Sequence, residues 1–145
     1  MVHALREIRK LLKPFDNAQG KPDGFLIDIR PNGELVEFIR PHQGGEIFIG
    51  HLQETDDYIE YRQAAEAVQK VIADGLFESR KRGEFIFQDH ADSFAELKAY
   101  LDESWSDSLI TEEVIAEAKR LDEFYGVGKV LLREKVHIGL LRPIF

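Results

Sequence analysis

The side chains best suited to touch a ligand are Arg30, His51, Tyr58, Tyr61, Arg62 and Trp105. Arg30 closes the apolar run "GFLIDIR", and a guanidinium just past a strand can grip a carboxylate or phosphate in a fork. A salt bridge to Asp28 or Glu34 is its simpler role. Tyr58, Tyr61 and Arg62 open the next helical stretch and could line a substrate pocket, although Tyr61 also fits a core position. His42 and His51 flank a hairpin, and His51 could be drawn with Asp56 or Asp57 as metal ligands. That spacing matches no recognised metal motif, so no metal is expected. Trp105, in "DESWSD", either anchors a helical insertion or stacks on a substrate. His90, beside Asp89 and Asp92, reads as a strand-end turn, and His137 as the partly exposed face of the last strand. Neither a Ser-His-Asp set nor a paired-carboxylate arrangement follows from the spacing, so no catalytic residue is assigned.

A chain of 145 residues, 43% hydrophobic and 32% charged, is long enough for a real core, and a single domain over residues 1–145 is expected. Its net charge of −8 argues against a nucleic-acid backbone or an anionic membrane as the main partner. The basic cluster "SRKRGE" (Ser79 to Glu84) reads as a solvated loop. With no cysteine there is no disulfide framework or thiolate chemistry, and a cytoplasmic location is expected. Residues 1–13 lack the uninterrupted apolar stretch of a signal peptide, and no later run has the length of a membrane span.

The elements that must position these residues follow from periodicity. Val2, Leu5, Ile8 and Leu12 predict an amphipathic first helix, uncapped at Met1 and stopped by Pro14. Gly24 to Arg30 predicts a strand buried on both faces. Glu34 to Arg40 and Glu46 to Leu52 predict a hairpin around "PHQGG", with Gly44 and Gly45 free to take positive φ. Thr55, followed by two acids, predicts a helix N-cap, with helical spacing through Leu76. Glu84 to His90 predicts a strand, Ser93 to Glu96 a capping box, Thr111 to Gly126 a capped helix, and Lys129 to Arg142 a long final strand.

The segment Pro14 to Lys21 lies between two copies of "KP", at Lys13-Pro14 and Lys21-Pro22, and reads as an inserted loop. Without it the text runs "MVHALREIRKLLK" into "PDGFLIDIRP". This resembles a signature of class I S-adenosylmethionine-dependent methyltransferases, in which a helix ending "LREIRRVLKPGG" leads into the fifth strand. Leu5, Arg6, Glu7, Ile8, Leu12, Lys13, Pro22 and Gly24 carry the match, with Asp23 in place of the family's first glycine.

The resemblance implies an α/β fold that is a partial Rossmann-like sheet. Gly24 to Arg30, Glu84 to His90 and Lys129 to Leu141 would correspond to the fifth, sixth and seventh strands, with the last slotted antiparallel between the other two and the hairpin added. It covers only the family's second half, so a truncated member is implied. The glycine-rich turn that carries the cofactor would then be missing, because neither Gly44-Gly45 nor Gly126 to Gly128 follows a strand and opens a helix. The implied chain has no cofactor of its own, would use S-adenosylmethionine only when joined to a cofactor-binding half, and would not transfer methyl groups autonomously. Without a fourth strand beside it, Gly24 to Arg30 would present an open apolar edge, so a homodimer or a complementary half is the expected partner. A non-enzymatic self-associating module and a small-ligand binding protein are the alternatives.

Overall fold

The computed structural model describes residues 1–12, 24–56 and 58–145. The expected insertion at 14–21 and the stop at Pro14 lie outside them. The element order is α1 (Val2–Leu11), β1 (Leu26–Pro31), β2 (Val36–His42), β3 (Gly45–Glu54), α2 (Ile59–Ala73), β4 (Phe77–Ala91), α3 (Phe94–Ser104), β5 (Ser108–Leu109), α4 (Glu112–Tyr125) and β6 (Val130–Pro143). The fold is mixed α/β, with four helices and one six-stranded sheet among the described residues, in the order β1-β6-β2-β3-β5, β4 also pairing with β6. The registered pairings are antiparallel throughout. Open parallel sheets gather ligands at the carboxyl ends of their strands, and these antiparallel pairings give Arg30 no such place.

The chain divides into two compact units, one of Met1–Asn32, Ile59–Phe85 and Val136–Phe145, the other of Gly33–Tyr58 and Ile86–Lys135. In the first, Leu5 of α1, Ala67, Val68 and Val71 of α2, Phe77 of β4 and Leu141 of β6 form a buried cluster, joined by Leu26 of β1. The helical period of α1 and α2 aims these residues at one side of the strands. Because strand side chains alternate, that leaves the other side of β1 uncovered. The expectation of a strand buried on both faces is thus corrected: Ile27 and Ile29 are 59% and 60% exposed. The basic "SRKRGE" cluster is corrected as well. It lies within β4, which begins at Phe77 rather than at Glu84. Its length of stem and its local pairs, Arg80 to Glu78 at 3.0 Å and Arg82 Nε to Ser79 Oγ at 3.0 Å, suit an exposed strand.

In the second unit, Val36, Phe38, Ile49, Leu52, Phe94, Leu97, Leu101, Val114, Ala118, Leu121, Val130 and Leu132 pack into one core. Phe38 and Phe94 meet edge to face at 5.5 Å, a favoured geometry for aromatic quadrupoles. Gly50 of β3 lets α4 approach closely: a Cβ there would lie 2.5 Å from Val114 Cγ2. The hairpin turn is tighter than "PHQGG" suggests. Gln43 and Gly44 take φ of 46° and 77°, whereas Gly45 already belongs to β3. This is the positive-φ pair that matches strand twist in a two-residue turn.

Helix caps follow the sequence closely, with one exception. Ser93 Oγ accepts from Glu96 N–H at 3.1 Å, and Thr111 caps α4 while Gly126 ends it at φ 80°. Thr55 is not an N-cap. Its N–H bonds Asp107 O at 3.0 Å, prolonging the pairing of β3 with β5, and α2 starts only at Ile59.

Candidate functional site

Within the first unit, β1 has two chemically different faces. Leu26, Asp28 and Arg30 point to the helix-covered side, and Phe25, Ile27 and Ile29 to the other. Register pairs Ile27 with Leu140 and Ile29 with Ile138, so these residues share the uncovered face. Phe25 is 51% exposed and Ile138 37%. Ile27, Gly83, Ile138 and Leu140, rimmed by Lys81 and Arg82, line an open apolar recess of roughly 310 Å³. Among the described residues β1 pairs only with β6 and ends the sheet, so it offers an unpaired edge beside that apolar face.

Arg30 takes the simpler of its two expected roles. Its Nε donates to both Asp28 carboxylate oxygens at 3.2 Å, and both side chains are largely buried. His137 Nε2 lies 3.6 Å from the same carboxylate. Gly139, the register partner of Asp28, leaves space for that ring, since a Cβ there would come within 3.2 Å of His137 Nε2. Tyr61 is half-buried on α2 and Arg62 exposed beside it, also in the first unit.

His51, Tyr58 and Trp105 belong to the second unit. Tyr58 is 4% exposed and held at φ 58°, an uncommon conformation for a non-glycine residue. Its N–H bonds Asp56 Oδ1 at 3.0 Å, and its hydroxyl donates to Leu52 O at 2.7 Å. Burial first, then the negative charge of Glu54, pushes its pKa up to about 12. A phenol so placed is a neutral structural donor rather than a general base. Trp105 packs partly buried against the core, which is the anchoring role, and its backbone N–H donates to Leu101 O at 2.8 Å to end α3. His51 stacks edge-on against Phe48 at 4.9 Å, as a hairpin packing contact.

Sequence reasoning missed two clusters in this unit. Carboxylate oxygens of Glu54, Asp56 and Asp107 lie within 4.8 Å of one another, a set of hard donors of the kind calcium or magnesium takes. His51 is not among them, and Asp57 lies outside the described residues. "ETDD" alone hints at two of the three. Asp107 arrives through the pairing of Glu54 with Ser108, which spacing does not reveal. The visible effect of the acids is electrostatic, since Glu54 and Asp56 help keep Tyr58 protonated. Nearby, burial raises the Glu134 pKa, and its Oε1 is buried without a hydrogen-bond partner among the described residues.

The other cluster centres on Arg40, 6% exposed, whose Nη1 donates to Asp122 Oδ1 at 2.7 Å and Nη2 to Gly126 O at 2.6 Å. Gly128 is fitted to it, since a Cβ there would lie 2.8 Å from Nη2. These contacts tie the C-terminal end of α4 to β2. Comparison of the chain with protein-family models, with curated proteins and with solved structures returns no match.

Proposed function

We propose that this chain is a methyltransferase-like segment without methyl transfer of its own, and that it works by completing a sheet through β1. The observation that carries the proposal is the unpaired edge of β1 beside an uncovered apolar face. An edge of that kind recruits another strand, and the adjoining apolar area adds a hydrophobic contribution to the pairing. The family part of the reading is supported by the order α1, β1, α2, β4, β6, and by a last strand that pairs antiparallel with β1 and also with β4. A seventh methyltransferase strand likewise pairs with the fifth and sixth, whereas β6 here pairs with β2 as well. The first unit contains α1, β1 and α2 with parts of β4 and β6, whereas Ile86 to His90 and Lys129 to Lys135, likened to parts of the sixth and seventh strands, belong with the hairpin, α3 and α4 to the second.

The partner that β1 fits best is a second copy. Antiparallel pairing of "LIDIRP" with itself, centred on Ile29, sets Asp28 against the partner's Arg30 and Ile29 against Ile29 on the apolar face. Calorimetric titration with S-adenosylmethionine and S-adenosylhomocysteine tests the absence of autonomous activity. The expected result is no heat from the folded chain. One site per chain at micromolar affinity would replace this reading with a compact methyltransferase.

A small-ligand reading draws on a different observation, the apolar recess rimmed by Lys81 and Arg82, which suits a short apolar ligand carrying an acidic group. Paired copies and such a ligand would compete for Ile27, so added fatty acid would dissociate a dimer on this second reading only.

A further inference from the structure

The first unit holds a cationic recess that the proposed function does not use. Arg6, Arg9 and Lys10 of α1 and Lys70 of α2 surround a groove of roughly 630 Å³, with Leu76 on its apolar side and Asp74 as the only acid in its lining among the described residues. Cations in the last turns of α1 and α2 complement the helix dipoles, which accounts for Arg9, Lys10 and Lys70. It does not account for Arg6, nor for all four converging on one recess. Their existing partners leave charge uncompensated. Asp74 is shared at 3.3 Å by both Arg6 and Lys70, and Lys10 bonds Glu7 at 2.7 Å. Arg9 is oriented by donating to the neutral Ile144 carbonyl and by lying 5.1 Å from the Phe145 ring centroid. Among the described residues, four cations against Asp74 and Glu7 leave two positive charges in excess, on a chain whose net charge is −8.

We infer that this groove binds a small multivalent oxyanion of the phosphate or diphosphate type. Two guanidinium groups supply forked donors for phosphate oxygens, and two ammonium groups supply mobile point charges. The first unit carries 12 Lys and Arg against 9 Asp and Glu, so the chain's negative charge lies in the second unit and leaves the groove's own excess in place. A groove of roughly 630 Å³ suits a compact ligand of two or more charges. Asp74 is then an internal competitor that holds Arg6 and Lys70 when the ligand is absent.

Titration of the chain with inorganic diphosphate, by calorimetry at low salt and again at physiological salt, tests the inference. The wild type is expected to bind with one site per chain and to weaken as salt rises. Arg6→Gln combined with Lys70→Gln is expected to lose about tenfold or more in affinity. Asp74→Asn, which removes the competitor, is expected to tighten binding severalfold, an outcome that loss of folding could not imitate. Lys119→Gln on α4 serves as a surface control and is expected to change nothing. Absence of binding by the wild type, equal weakening by the control, or unchanged affinity in Asp74→Asn would overturn the proposal.

Discussion

The two units bury their apolar residues to different extents. In the second, α3 and α4 close over the hairpin and Phe38, Leu52, Leu97, Leu101 and Leu121 are almost completely buried. In the first, α1 and α2 cover one side of β1, and Ile27 and Ile29 remain more than half exposed on the other. Both units have a buried core and both expose some apolar residues, Phe124 and Val127 at 75% each in the second among them, but Ile27 and Ile29 lie side by side with Ile138 on one face of a strand pair. The difference teaches that the packing of α3 and α4 can be tested within the chain, whereas the proposed role of β1 has to be tested by association.

Substitutions that test this contrast differ in size. In the closed unit, Arg40→Ala removes the partner of Asp122 and of the Gly126 carbonyl, and is expected to destabilise by about 3 kcal/mol in urea unfolding. Leu121→Ala should cost about 2–5 kcal/mol, because α4 cannot collapse fully onto the hole it leaves. A small effect at Leu121 would break the comparison, by showing that this core is loosely packed.

The Tyr58 phenol carries a pH signature. Its pKa in the folded chain is raised from 10.0 to about 12, so the folded state binds the proton more tightly than the unfolded state. Stability is therefore expected to fall as pH rises from 10 towards 12, by roughly 2–3 kcal/mol in all. Tyr58→Phe should remove that slope and the latest step in the tyrosinate absorbance titration, at a cost of about 1 kcal/mol for the lost bond to the Leu52 carbonyl. Glu134 has the same sign in another window. Burial raises its pKa, so stability declines as pH rises from the ordinary carboxylate range through the raised value. Glu134→Gln is expected to gain about 1 kcal/mol at neutral pH and to flatten that decline, as read from melting temperature against pH.

The smallest effect on unfolding is expected at the open face. Ile29→Ser should change the stability of an isolated chain by no more than about 0.5 kcal/mol, because the side chain is already in water. Its effect should appear instead in association.

Much of the second unit is legible in the sequence, because its signals are local. Ser93 and Thr111 are caps whose partners lie three residues away, and Gly126 ends α4 through its own φ. The uncovered face of β1 is not legible: "FLIDI" reads the same whether helices flank it on one side or two, and burial depends on elements elsewhere in the chain. Arg40 looks like the ordinary charged end of a strand until α4 places Asp122 beside it. Thr55 followed by two acids is a sound helix start taken alone, and is overridden by a two-residue strand that spacing cannot detect. Of the expected site residues, Arg30 and Trp105 settle into their structural roles because those partners, Asp28 and the adjacent core, are close in sequence or forced by packing.

Sedimentation equilibrium of the wild-type chain and of Ile29→Ser, over a micromolar concentration range, tests the central claim most directly. A reversible dimer in the wild type that Ile29→Ser shifts to monomer, with unfolding stability nearly unchanged at the dilute end, is the expected result. A wild-type monomer throughout, or a dimer indifferent to Ile29, would contradict pairing of two copies through β1.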